Sequence, residues 1–94
     1  MNTPKRKTHT LTTNFTKQSA EKIRTAFLQL VEHDGALYLN ASKVALIDAA
    51  GLQLLYALVR DRKVMGRNTT LTKCSSIVTS TIETFGLSAE FSVA

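Results

Sequence analysis

The sequence predicts an α/β fold, a mixed, mainly parallel sheet with helices packed against it. Three observations lead there. Short apolar or threonine-rich runs of strand length alternate with longer runs whose apolar residues recur every three or four positions. Glycines at 35, 66 and 86 fall where the longer runs stop. A chain of 94 residues has room for one core, and its 44% hydrophobic content is enough to fill it.

The first strand is expected in "THTLTTNF", Thr8 to Phe15, as a weak edge strand of β-branched residues with Leu11 and Phe15 apolar. Thr16 then stands where an N-cap belongs. The helix after it presents Ala20, Ile23, Phe27, Leu30 and Val31 on one stripe and stops at Gly35. "ALYLNAS" is a strand with Leu37 and Leu39 on one face and Tyr38 on the other. "VALI" is apolar at every position, which suits a segment covered on both sides. Asp48 can cap the next helix by accepting from the backbone N–H of Ala50 or Gly51. Leu52, Leu55, Leu58 and Val59 form its inner face. Its basic end, Arg60 to Lys63, complements the negative pole of the helix and reads as solvated; Gly66 breaks it. "NTTLTKC" is a further strand. Ser75 or Ser76 caps a third helix with Ile77, Val78, Ile82 and Phe85 inward, closed by Gly86 and Leu87. The strand–helix alternation gives one domain over 8–94 behind a basic tail over 1–7.

Chemistry is sparse. The single cysteine, Cys74, excludes a disulfide framework and reads as a small buried apolar residue. No phosphate-cradling glycine loop, metal-ligand spacing or nucleophile–base pair occurs, so neither an enzyme nor a cofactor is predicted. The net charge of +5 comes largely from Lys5–Lys7 and from Arg60, Arg62, Lys63 and Arg67, without the interleaved aromatics of a nucleic-acid surface. No run approaches the length of a membrane span, and no apolar stretch follows the basic start as in a secretory signal. A cytoplasmic protein is expected.

One stretch is more informative. Leu39-Asn40-Ala41-Ser42 is followed by Ile47-Asp48-Ala49-Ala50-Gly51-Leu52, then by Leu54-Leu55, Gly66, the strand at Leu71, and Gly86-Leu87 with Phe91. This series resembles the STAS domain of bacterial anti-sigma-factor antagonists, whose members show a Leu-Asp-Leu-Ser strand and then Ile-Asp-Ser-Ser-Gly-Leu before a leucine-rich helix. The resemblance covers Gly35 to Phe91 and implies a non-catalytic protein-interaction module. In the antagonists the residue after the aspartate is a serine or threonine phosphorylated by a partner kinase. Here that position is Ala49, the next is Ala50, and the strand aspartate is Asn40. The switch hydroxyl is therefore absent, and Ser42, Ser75 and Ser76 are the nearby substitutes.

The partner surface is expected at Asp48, Ala49, Ala50 and Gly51, where small side chains permit close approach, and along Gln53, Tyr56, Arg60 and Lys63 at helical spacing. Tyr56 is the natural anchor. The resemblance implies an anti-sigma-factor-like kinase or another signalling regulator as partner, with a link to chemotaxis-type signalling; a homodimer is compatible with it. One alternative is an accessory subunit docking on the ATPase of a lipid-transporting ABC system, a subgroup that usually keeps the hydroxyl. Another is a nucleotide or small-ligand binder, which the missing phosphate loop argues against.

Overall fold

In a computed structural model, which describes residues 5–94, strands and helices alternate as predicted. The strands are β1 (Lys7–Thr10), β2 (Asn14–Phe15), β3 (Leu37–Asn40), β4 (Leu46–Ile47), β5 (Thr69–Thr72) and β6 (Ser92–Val93). The helices are α1 (Ala20–Val31), α2 (Ala49–Val64) and α3 (Ser76–Thr84). Short 3-10 turns at Lys17–Ser19 and Ser88–Glu90 precede α1 and β6. Four strands form a sheet in the order β1-β3-β5-β6, with every neighbouring pair parallel; β2 and β4 form a separate parallel pair. Of the basic tail expected over 1–7, residues 1–4 lie outside the described residues, and Lys7 already belongs to β1.

Alternation within the strands sets the core. Leu37 and Leu39 of β3 and Leu71 of β5 point to one face and are buried, while Tyr38, Asn40, Thr70 and Thr72 on the other face are half-exposed. Ile23, Phe27 and Leu30 of α1 and Leu52, Leu55 and Leu58 of α2 pack into the same core, with Leu11, Phe15, Val78, Ile82 and Phe91 among its other members. Full burial of each such side chain contributes about 2 kcal/mol. Both helices return the chain between parallel strands, so α1 and α2 run in the same direction and pack side by side.

Several local expectations need correction. The predicted first strand is two strands, β1 at the sheet edge and β2 paired with β4, because the chain leaves the sheet after Thr10. Thr16 does not cap through its hydroxyl, which instead donates to Asn14 Oδ1. "VALI" is not covered on both sides: Val44 is buried, but Leu46 of the two-residue β4 is exposed. In α3, Val78 and Ile82 are buried while Ile77 and Phe85 are exposed, because nine residues give the helix only one inward stripe. Cys74 is half-buried, and that burial raises its thiol pKa.

Gly66 and Gly86 end α2 and α3 as expected, with φ of +74° and +69°. Arg67 N–H donates to Arg62 O and Gly66 N–H to Lys63 O; Leu87 and Gly86 repeat the pattern on Ile82 and Glu83. Gly35 acts otherwise. Helix α1 has already ended at Val31, and Gly35 is buried where an added Cβ would fall 2.3 Å from the Lys5 carbonyl oxygen.

The largest correction is Arg62, which is not a solvated cation but is wholly buried. Its Nε donates to Thr69 Oγ1 at 2.8 Å. Nη1 donates to Leu30 O at 2.9 Å and His33 O at 2.5 Å, and Nη2 to Gly35 O at 2.8 Å and Asn68 O at 3.1 Å. All five N–H groups of the guanidinium are used, on neutral acceptors. Burial, and then the charge of Arg67, lowers its pKa.

Candidate functional site

The junction between β4 and α2 is built around Asp48. Its backbone is extended, at φ −124° and ψ −177°, the conformation of a residue that stands just outside a helix. Its Oδ1 accepts the N–H of Gly51 at 2.9 Å, which makes it the N-cap of α2. Its Oδ2 accepts the N–H of Lys17 at 3.0 Å, in the 3-10 turn that leads into α1. One carboxylate thus joins the N-terminal ends of two parallel helices. The Gly51 hydrogen bond, followed by that from Lys17, holds its pKa below the ordinary carboxylate value. With both oxygens engaged by backbone donors, Asp48 is an organising anion, poorly suited to serve as a base.

Gly51 occupies a different place from the one expected. It is buried, and an added Cβ would lie 2.0 Å from the carbonyl oxygen of Phe15. The close approach it permits is that of α2 to β2, inside the molecule. Ala49 is exposed and Ala50 half-exposed, so the two methyl groups form the outer surface of the junction. From Ala49 an outer stripe continues through Gln53, Tyr56, Arg60 and Lys63, at steps of four and three residues along one side of α2. Gln53, Arg60 and Lys63 are exposed.

Tyr56 is half-buried. Its ring meets that of Phe91 edge-on at 6.3 Å, and the Arg60 guanidinium lies 5.8 Å from its centroid. Arg60 also holds Asp61 Oδ1 at 3.3 Å, an exposed ion pair of small energetic weight. The stripe is therefore preordered around Tyr56, with a cation on one side and the C-terminal segment behind it. Two apolar neighbours escaped the sequence reading, in which Leu46 and Ile77 were placed in the core. Both are exposed, and with Thr16, Lys17 and Asp48 they border a concavity of about 420 Å³ beside the junction. Apolar identity alone cannot separate such residues from core.

The serines nearest the junction are differently placed. Ser42 is exposed, and its N–H donates to Asn40 Oδ1 at 2.9 Å, so the asparagine amide orders this loop. The Ser75 hydroxyl donates to Val44 O at 3.3 Å, and Ser76 is the exposed first residue of α3. Among the described residues no three His, Cys, Asp or Glu side chains are grouped to hold a metal, and no helix is long and apolar enough to cross a membrane. His9 and His33 are far from this chemistry. His9 lies on β1, edge-on to Phe27 at 6.4 Å, where burial and then Lys7 depress its pKa.

Comparison with known proteins supports the architecture. The family described as "Mlab, STAS domain" matches residues 3–92. A sulfate transporter family protein from Wolinella succinogenes superposes with a TM-score of 0.74 at 18% identity, over 94% of this chain and 75% of that one. The Bacillus cell fate determinant SpoIIAA, in its phosphorylated form, superposes with a TM-score of 0.72 at 18% identity, over 100% of this chain and 86% of that one. No curated protein matches the sequence.

Proposed function

The chain belongs to the STAS domain family, and we propose that it is a non-catalytic docking module of bacterial signalling that works without a phosphoryl switch at its helix junction. The observation that carries the proposal is the exposed Ala49. It heads the outer stripe of α2 at the position where the resemblance to the antagonists places a phosphorylatable hydroxyl, and a methyl group cannot accept phosphate. Docking at Asp48–Ala50, Gln53, Tyr56, Arg60 and Lys63 is then constitutive. Its extent is set by how much of each partner is present rather than by modification. The partner is a protein, an anti-sigma-factor-like kinase or a related regulator such as those of chemotaxis-type signalling, and the site of action is the cytoplasm.

A mutational comparison tests the reading. Wild type, Ala49→Glu, Tyr56→Ala and Arg60→Ala are used as bait in the native cell extract, and retained proteins are identified by mass. A kinase or regulator retained by wild type and lost with Ala49→Glu supports the stripe. Equal retention by all four folded baits refutes it. Intact-mass analysis of the protein isolated from cells is expected to show no stoichiometric phosphate; a full shift mapping to Ser42, Ser75 or Ser76 would restore a switch.

The description of the matching family favours a second reading, an accessory subunit docked on the ATPase of a lipid-transporting ABC system. The same stripe would serve. Recovery of an ABC ATPase with wild type and its loss with Ala49→Glu would select this reading over the first.

A further inference from the structure

We propose that the chain forms a two-fold symmetric dimer through the groove between α1 and α2. The groove has a volume of about 210 Å³ and is floored by Phe27, Leu54 and Leu58. Leu28 stands on its α1 rim with 65% of its surface open to solvent, more than any other large apolar residue except Val64 among the described residues. Ala57, on the α2 side, leaves room across from it. An open leucine beside a shallow apolar trough is a knob and a hole on the same surface, which is what an isologous contact requires.

The charges point to a second copy as the occupant. Only two lining residues are charged, Arg24 on α1 and Asp61 on α2. The helices run in the same direction, so Arg24, early in α1, and Asp61, late in α2, lie diagonally across the groove. A two-fold axis in the plane of contact, perpendicular to that diagonal and through its midpoint, sets Arg24 of each copy on Asp61 of the other. The same rotation brings the apolar middles of the two grooves face to face. A chain of net charge +5 repels its own copies over most of its surface, but this face is balanced, one cation against one anion. Asp61 leaves only an exposed pair with Arg60 to make the contact. The groove lies beside the Gln53–Tyr56–Arg60 stripe on α2, with Arg60 at their common border through its pair with Asp61.

Sedimentation equilibrium of the full chain, from low micromolar to millimolar concentration, tests the proposal. Wild type is expected to show a monomer–dimer equilibrium. Leu28→Glu should remain monomeric, and Leu28→Gln, which adds no charge, should dimerise more weakly than wild type. Arg24→Asp and Asp61→Arg each change two contacts per dimer and should weaken association about tenfold. Combining the two restores opposite charges across the axis and should return association to the wild-type value. Circular-dichroism melts confirm that each variant is folded. A monomeric wild type at millimolar concentration overturns the proposal and leaves the groove to a different protein. A dimer unaffected by either Leu28 variant, or a double charge exchange as weak as the single ones, overturns it equally by placing the interface elsewhere.

Discussion

The two ends of α2 solve one problem with opposite materials. At its N-terminal end the carboxylate of Asp48 accepts from the N–H of its own helix and from that of Lys17 at the entry to α1. At its C-terminal end the guanidinium of Arg62 donates to Leu30 O and His33 O, carbonyls at the exit of α1, and to Gly35, Asn68 and Thr69. Each end of a helix leaves backbone groups without internal partners, donors at the start and acceptors at the finish. Helix α2 supplies an anion for the donors and a cation for the acceptors, and so grips its parallel neighbour at both ends. The difference lies in exposure. Asp48 keeps contact with solvent at the β4–α2 junction, whereas Arg62 is sealed inside. A partly solvated anion can lose a hydrogen bond and regain it from water; a buried cation spread over five acceptors cannot.

That contrast is most severely tested by Arg62→Ala. It strands the carbonyls of His33 and Gly35, takes a donor from those of Leu30 and Asn68, and should cost about 4 kcal/mol, read as a lower urea midpoint with an unchanged m-value. Arg62→Lys should recover only part of the loss, because a point ammonium cannot span the fork of acceptors; full recovery would show that charge alone matters there. Next in size is Gly51→Ala. The Cβ contact with Phe15 O forces α2 away from β2, and a loss of about 1–3 kcal/mol is expected by the same melts. Asp48→Ala should lower Tm by several degrees only. Asp48→Asn should fall between it and wild type, since an asparagine still caps α2 but cannot serve Lys17 as a carboxylate does. If Asp48→Ala proves as damaging as Arg62→Ala, exposure is not what separates the two ends. The smallest effect is that of acid. The Asp48 pKa is lowered on folding from 3.8, so its contribution is complete above that value and is lost as pH falls through the folded pKa. Amide shifts of Gly51 and Lys17, followed by NMR, should titrate together with a midpoint below 3.8, while those around Arg62 stay still.

The N-terminal end was legible in the sequence and the C-terminal end was not, for a physical reason. Asp48 precedes an amphipathic run, where a carboxylate has one obvious local use, and the cap fell on Gly51 as one of two named options. Its second bond, to Lys17, spans a distance in sequence that no local pattern reports. Arg62 was grouped with three other cations at a helix end, where solvation is the ordinary fate. Yet it follows Leu55 and Leu58 at inward spacing, and that periodicity was the available signal. The sheet and its helices were readable because alternation and glycine stops act locally. Which apolar residues stay outside was not, since Leu46, Ile77 and Phe85 differ from core leucines only in what fails to cover them. Gly51 likewise looked like an open surface when it is a contact with β2, because glycine announces proximity without saying to what.

The reach of Arg62 also bears on the order in which the chain can assemble. Helix α1 and β3 are synthesised well before it, but the carbonyls of His33 and Gly35 gain a donor, and that of Leu30 a further one, only when Arg62 arrives, and its remaining partners, Asn68 and Thr69, come later still. A nascent chain that stops short of α2's last turn lacks the donor that serves these carbonyls in the folded chain. Closure of these bonds is non-local: it pins the α1–β3 loop to the start of β5, across 27 to 29 residues of sequence on one side, and contacts of such separation slow the folding step that makes them.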